Sequence, residues 1–200
     1  MRVIVVLTAK NSGKYEHAYW RDSFDAVEHG LSFASRQAWF YVLCSLSFLV
    51  PFSLGEPQLL VGTIVNAALI AGAYKLKGWE LLPLIILPSL GALSRGLVFG
   101  PWTPYLALML PFIWVGNALL VIAVKRLIVL DKRNYALGNA AGIAAKTAFL
   151  FGAAYALYSL HVVPAVFLTA MGIFQLMTAL AGAALAFGFL KIEPRIARLA

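Results

Sequence analysis

Long apolar segments separated by short polar connections dominate the chain after its first 37 residues. Six such segments follow one another in the sequence: Ala38–Leu54, Gln58–Tyr74, Leu81–Ser94, Pro104–Val124, Ala140–Leu160 and Pro164–Leu190. A helix that crosses a membrane needs about 20 predominantly apolar residues, and most of these segments approach or exceed that length. The pattern predicts an all-α polytopic membrane protein, a six-transmembrane-helix bundle.

The third segment is short and contains Pro83 and Pro88. A proline inside a helix removes a backbone hydrogen bond, but neighbouring helices or a lined cavity can satisfy the freed carbonyl within a bundle. We therefore expect a kinked third helix that runs on toward Phe99.

Residues 1–37 differ in character from the rest. Residues 1–38 hold five Lys or Arg and four Asp or Glu, and the apolar run Val3–Leu7 is shorter than the 7–15 residues of a signal-peptide core. Apolar residues spaced among the charges of Asp22–Gln37 fit an amphipathic helix on the membrane surface, and a solvated tail fits equally well. We expect a cytoplasmic leader at 1–37, a transmembrane domain at 38–190 and a cytoplasmic tail at 191–200.

Composition supports the membrane interpretation. Hydrophobic residues make up 62% of the 200 residues and charged residues 12%, against roughly 45–50% and about 25% in soluble domains. An ordinary water-soluble globule is therefore excluded. Cys44 is the single cysteine, so an intrachain disulfide is excluded as well.

The net charge of +8 is distributed unevenly along the predicted topology. Six spans place both termini on one side of the membrane. Of the 16 Lys and Arg residues, Arg95 falls on the other side, Lys146 lies within the fifth span, and the remaining fourteen fall on the side of the termini. Because cytoplasmic loops carry the excess of Lys and Arg, the termini are predicted to be cytoplasmic, in a plasma-membrane protein. The basic surplus then reflects orientation in the bilayer, and we expect no nucleic-acid partner.

Single polar residues lie near the middle of several spans: Asn66, Asn117 and Gln175, with Lys146 in the predicted cytoplasmic third of the fifth span. Such residues are costly in hydrocarbon unless they face the bundle interior or a cavity. The amides can join helices by hydrogen bonds or bind a solute. A cation at that depth needs a partner, and the spans offer no Asp or Glu to pair with Lys146. Its side chain can instead extend to the cytoplasmic face.

A second polar group belongs to the predicted external side. Arg95 can receive an anion or bond nearby backbone carbonyls. Trp102, Tyr105 and Tyr158 are typical of an interfacial aromatic belt. His161 has no second ligand near it in the sequence, so we expect no metal site.

Motifs for covalent chemistry and ATP binding are absent from the sequence. We find no phosphate-binding GxxxxGK[ST] loop, no HExxH, no GxSxG and no paired intramembrane carboxylates. The sequence therefore predicts no catalytic residues and no cofactor, and any energy for transport has to come from a partner.

Three blocks and one lysine resemble a known family: Leu60–Ile70, Pro111–Val121, Phe174–Gly182 and Lys146 with its following aromatics. They are similar, in order and spacing, to the substrate-binding S components of energy-coupling factor (ECF) transporters, whose relatives include proteins mislabelled "iron hydrogenase". The resemblance covers roughly residues 40 to 190.

This resemblance implies a subunit that captures a vitamin, a precursor or an ion from outside, with a transmembrane coupling subunit and two ABC-type ATPases as partners. Docking in the family often uses an AxxxA motif on the first helix, and Ala34 and Ala38 have that spacing. The implied substrate-binding residues are Asn66, Asn117 and Gln175 in the recurring blocks, with Arg95 and Trp102 near the mouth of the pocket.

Two other classes fit the sequence less well. A non-transporting membrane assembly or scaffold protein would use the amides to hold its helices together. A small intramembrane enzyme would need paired catalytic groups, which the sequence lacks.

Overall fold

The computed structural model of the chain describes residues 32–54, 57–96 and 100–196, without the side chains of residue 100 and of 193–196. Residues 1–31 lie outside the described part. Most of the predicted leader, including the Asp22–Leu31 part of its amphipathic segment, is therefore not described.

The described residues form an all-helical bundle without strands, which confirms the all-α prediction. Its helices are α1 Phe33–Ser53, α2 Gln58–Lys75, α3 Leu81–Arg95, α4 Thr103–Ala123, α5 Tyr135–Ser159, α6 Val166–Met171 and α7 Ile173–Ile196. A π-helical segment, Val124–Leu130, continues α4. Five helical segments are long and apolar enough to cross a membrane: α1, α2, α4 with its π-helical end, α5, and α6 together with α7. The chain is thus a multi-pass membrane protein by length and composition.

Two helices begin earlier than the apolar pattern indicated. The Ser32 hydroxyl accepts a hydrogen bond from the backbone N–H of Ser35 at the start of α1. The Asn134 side chain does the same for the N–H of Ala136 at the start of α5. These caps satisfy N–H groups that have no partner within the helix, so both helices extend about five residues beyond the predicted apolar segments.

Helix α3 ends at Arg95, so the prediction that it runs on toward Phe99 is wrong. Gly96 adopts the left-handed conformation with φ 63°, which terminates the helix and which glycine tolerates without strain. Pro83 lies in the first turn, where no intrahelical N–H bond is lost, and Pro88 lies inside the continuous helix.

Contacts at both ends of α3 join it to α1. Arg36 Nε lies 3.0 Å from Glu80 Oε1, next to the start of α3. At the other end, Arg95 Nη1 donates to the carbonyls of Phe52, at 3.2 Å, and of Ser53. Helix α3 therefore lies alongside nearly the whole length of α1, although it has 15 residues.

The last predicted segment is broken into α6 and α7 at Gly172. The backbone N–H of Gly172 still donates to Leu168 O at 2.9 Å, but its φ of −97° and ψ of −100° depart from the helix. A Cβ at this position would lie 2.7 Å from Leu168 O, so a larger residue would not fit. The break lies next to Phe174 and Gln175 and sets where these side chains lie.

The helix ends divide the bundle into two poles. The basic end, as we call it, gathers the described cations other than Arg95 and Lys146: Arg36, Lys75, Lys77, Lys125, Arg126, Lys132, Arg133 and Lys191. Its core is the larger apolar cluster, which includes Leu69, Ile70 and Val121. The opposite end, where Arg95 lies, has a smaller cluster around Met109 and Phe167.

Candidate solute-binding site

A cavity of about 120 Å³ lies inside the bundle, toward the opposite end. Its walls come from α1, α2, α3, α4, α5 and the α6–α7 break, and they include all four of the predicted mid-span polar residues. Its polar lining consists of Gln58, Asn66, Ser89, Asn117, Lys146, Gln175 and Thr178. The sequence thus identified the residues around one cavity, although it did not single out Gln58, Ser89 or Thr178.

The cavity extends from the opposite end to the middle of the bundle. Gln58 is the first residue of α2, at the opposite end, and Lys146 lies eleven residues into the 25-residue helix α5. Beyond Asn66 and Lys146, toward the basic end, fully buried apolar residues such as Leu69, Ile70 and Ile143 fill the bundle. The cavity is therefore closed toward the basic end by packed side chains.

Three side chains from three helices form what we call the polar floor: Asn66, Lys146 and Thr178. Lys146 Nζ donates to Asn66 Oδ1 at 2.6 Å. Asn66 Nδ2 donates to Thr178 Oγ1 at 3.2 Å and to Gly62 O at 2.9 Å. The polar floor links α5, α2 and α7, and each of its members is buried.

The position of Lys146 differs from the prediction. Because α5 begins at Tyr135, Lys146 lies near mid-helix and not in a terminal third. Its side chain is 2% exposed, so it does not extend to either face of the membrane. Its partner is the amide oxygen of Asn66, a type of partner that a search for carboxylates does not find.

Hydrogen-bond capacity on the polar floor favours a ligand with acceptor atoms. Asn66 uses both N–H groups and its oxygen in bonds to Gly62, Thr178 and Lys146. The Lys146 ammonium has three donors, and Asn66 accepts one of them. A buried cation is stable when its remaining donors find acceptors, and the cavity beside Lys146 is where a solute can supply them.

Charge favours the same kind of ligand. Lys146 is the sole ionisable residue among those lining the cavity, and the other polar groups there are amides and hydroxyls. A carboxylate, a phosphate or a carbonyl-rich solute would complement the N–H and O–H donors of this lining.

Asn117 and Gln175 lie in the walls above the polar floor. Asn117 is buried and its Nδ2 donates to Ile85 O at 3.0 Å, which ties α4 to α3. Trp114 strengthens the same contact, because its Nε1 donates to Ser89 Oγ at 2.7 Å. Asn117 thus both joins helices and borders the cavity, while Gln175 is half-buried in the wall.

Arg95 and Trp102 do not line the cavity. Arg95 bonds the carbonyls of Phe52 and Ser53, which is the backbone alternative allowed by the sequence. Trp102 is 39% exposed and contacts Tyr105 at 6.0 Å between ring centroids, as in an interfacial belt. Arg95 and Trp102 were predicted to lie near the mouth of the pocket, and neither residue contacts this cavity.

This placement makes a prediction about Arg95. Arg95→Gln should lower the melting temperature of the bundle, because two carbonyls at the end of α1 lose a charged donor. Solute affinity should change less than twofold, since the side chain does not line the cavity. Thermal melting and a binding titration of the same preparation measure both effects. A large loss of affinity at unchanged stability would restore Arg95 to the binding site.

Glycines bring α2 and α7 together around the polar floor. A Cβ at Gly62 would lie 2.7 Å from Thr178 Cγ2, and one at Gly182 would lie 2.7 Å from Asn66 Cβ. Such close approach is typical of small residues in membrane helices. Gly182, and the buried Ala186 one turn further along α7, are therefore used for packing inside the bundle.

The predicted docking residues Ala34 and Ala38 are both exposed on α1. Helix α1 is the least enclosed of the five span-length segments, since only 11% of its apolar 18-residue stretch is buried. Exposure is compatible with docking and equally with contact to lipid.

Within the described residues, no group of three or more His, Cys, Asp or Glu side chains is placed to hold a metal ion. Comparison of the chain with protein-family models, with curated proteins and with solved structures gives no match. The residues of the cavity and the sequence resemblance are therefore the features that indicate a function for the chain.

Proposed function

We propose that the chain is the substrate-binding membrane subunit of an ECF-type transporter, which captures a small solute on the external side for ATP-driven import by partner subunits. The chain itself performs no covalent chemistry in this proposal. The observation that carries it is Lys146, a buried lysine that is held by an amide and lines a cavity.

A six-crossing topology belongs to the proposal. At 1.5 Å per residue, Glu80 to Arg95 spans about 22 Å and Arg36 to Phe52 about 24 Å. Because these residues pair at the two ends, α3 covers nearly the same depth as α1, which is a span-length helix. A helix of 15 residues can cross where the bilayer thins locally.

Orientation follows from the basic end. Cytoplasmic loops of membrane proteins carry the excess of Lys and Arg, so we assign the basic end to the cytoplasm in a plasma-membrane protein. The cavity then lies in the external half of the bundle, with the polar floor at its inner limit. Release toward the cytoplasm would require the bundle to move against its partner.

The cavity favours a compact solute. Its volume of about 120 Å³ is below the roughly 300–1,000 Å³ of pockets for drug-sized ligands. We infer a small solute, or the compact polar part of a larger one, that presents a carboxylate or carbonyl to Lys146. The Gln58 and Gln175 amides are placed to bind its outer polar groups.

Partners follow from the same proposal. The exposed face of α1 that carries Ala34 and Ala38 would contact the transmembrane coupling subunit, and two ABC-type ATPases would supply the energy. Small residues allow a partner helix to approach closely, so a bulky side chain on this face would interfere.

Affinity purification of the tagged full chain from membranes of its own organism tests the partner assignment. We expect two ABC-type ATPases and one membrane subunit to copurify. Ala38→Leu should reduce their yield about tenfold, because the added side chain separates the helices. Ala156→Leu, at an alanine that is also exposed but lies on α5, is the control. Equal yields from Ala38→Leu and the wild type would contradict the α1 assignment, and absence of ATPases from all samples would contradict the ECF proposal.

A scaffold role has one observation in its favour. The Asn66 and Asn117 amides and the Trp114 indole all bond between helices, as structural residues do. A scaffold needs no solute, so the two proposals differ in whether anything binds at Lys146.

A further inference from the structure

A second cavity, of about 310 Å³, lies at the basic end. Three cations contribute to its lining: Lys75, Lys132 and Arg133. Lys132 and Arg133 are exposed in the connection between the π-helical segment and α5, and Lys132 has a φ of 54°. Asp131, next to them in sequence, does not line the cavity and pairs with Arg126 at 3.6 Å. The cavity is therefore basic, with no described carboxylate in its lining.

Aromatic rings shape this cavity. Tyr135 lies between Tyr74 and Phe187, with centroid distances of 6.3 and 5.1 Å. The Tyr135 hydroxyl donates to Ala183 O at 2.7 Å, which fixes the ring against α7. Lys191 lies near the cavity without lining it, and its Nζ is 5.5 Å from the centre of the Phe187 ring.

An apolar groove continues from the cavity along the surface between α5 and α7. It has a volume of about 530 Å³ and shares Tyr135 and Phe187 with the basic cavity. Its other lining residues are mainly apolar, including Ala140, Ile143 and Leu180. One buried polar atom, Asn139 Oδ1, has no hydrogen-bond partner among the described residues, and Asn139 lines the groove at 2% exposure.

We propose that the basic cavity and the groove together bind one anionic phospholipid. The phosphate group lies against Lys132 and Arg133, the two exposed cations of the cavity, and an acyl chain lies in the groove between α5 and α7. Basic pockets between membrane helices at the cytoplasmic side favour anionic head groups in this way.

The basic cavity and the groove are continuous, and this continuity favours a lipid over a free phosphate compound. A soluble phosphate compound would use the basic cavity and leave the groove empty. A lipid uses both, and its chain covers apolar surface at a depth where bilayer lipids lie. The inference does not depend on what the central cavity binds, and its test does not involve Lys146.

Native mass spectrometry of the purified full chain tests the site, with phosphatidylglycerol and phosphatidylcholine of identical acyl chains as probes. We expect one phosphatidylglycerol to bind at least about tenfold more tightly than phosphatidylcholine. Arg133→Gln should weaken phosphatidylglycerol binding about fivefold, the effect of one cation near an anionic head group. Lys77→Gln, a charge at the same end outside the cavity, should leave it unchanged.

The groove is tested by Ala140→Phe, with Ala156→Phe as the control. Both alanines are exposed on α5, and Ala140 alone of the two lines the groove. Ala140→Phe should weaken phosphatidylglycerol binding at least fivefold and Ala156→Phe should not. Equal binding of the two lipids would overturn the proposal. Full competition by glycerol 3-phosphate, with no effect of Ala140→Phe, would overturn it in favour of a soluble phosphate compound.

Discussion

Lys146→Met should weaken solute binding by roughly 10- to 150-fold, the range that corresponds to about 1.5–3 kcal/mol for a hydrogen bond to a charged group. Methionine is similar in length and apolar, so it removes the cation without opening a large space. The expected readout is the loss of thermal stabilisation that a metabolite extract, and then its purified active component, gives to the wild-type chain. A titration with that component supplies the affinity ratio.

Lys125→Met is the matched control. Lys125 is buried like Lys146, at 1% exposure. Its Nζ donates to Leu76 O at 2.6 Å, at the end of α2. This variant should be less stable but bind the solute normally. Gln175→Leu is a second cavity variant whose half-buried side chain is not part of the polar floor, and it should also weaken binding. If folded Lys146→Met bound the solute with wild-type affinity, Lys146 would not belong to the solute-binding site.

Gly182→Ala should destabilise the bundle by about 1–3 kcal/mol, the usual cost of overpacking. The added Cβ would lie 2.7 Å from Asn66 Cβ and 2.9 Å from the backbone atoms Ala67 N and Thr63 O. Because these are backbone and near-backbone atoms, α2 and α7 have to separate. The polar floor would widen as a result, so solute affinity should fall together with the melting temperature.

Gly188→Ala on the same helix is its control. A Cβ at Gly188 has no atom within 4 Å, and alanine is the better helix former by about 1 kcal/mol. This variant should melt at the wild-type temperature or above it. Equal melting temperatures for Gly182→Ala and Gly188→Ala would show that α2 and α7 do not approach as closely as the structure indicates.

Hydrophobic patterning was sufficient to predict most of the fold. Each of the six apolar segments corresponds to one helix or to two consecutive helices in the described residues, and five helical segments are long and apolar enough to cross a membrane. The ends were harder to predict, since they depend on local groups: Ser32 and Asn134 cap helices before the apolar runs begin, and Gly96 ends α3 early. The break at Gly172 lies within an apolar run, where hydrophobicity carries no signal.

Patterning also located the cavity residues but not their partners. Polar residues at mid-span indicated Asn66, Asn117, Gln175 and Lys146, since each needs a polar environment inside the bundle. The bond between Lys146 and Asn66 joins residues 80 positions apart and depends on how three helices pack. The pattern of apolar and polar residues along the sequence does not show which residues of different helices bond to each other. The pattern does not indicate Thr178, because a threonine hydroxyl can donate to a backbone carbonyl of its own helix and then needs no partner elsewhere. The Thr178 hydroxyl does donate in this way, to Phe174 O at 2.8 Å.

Lys146 should bind an acceptor group of a small solute within the bundle. A crystal structure of the full chain, incubated with metabolite extract before crystallisation, tests it most directly. We expect compact non-protein density with an atom at about 3 Å from Lys146 Nζ, above the polar floor. A cavity that holds water alone, or that neighbouring side chains fill, would contradict solute binding by Lys146.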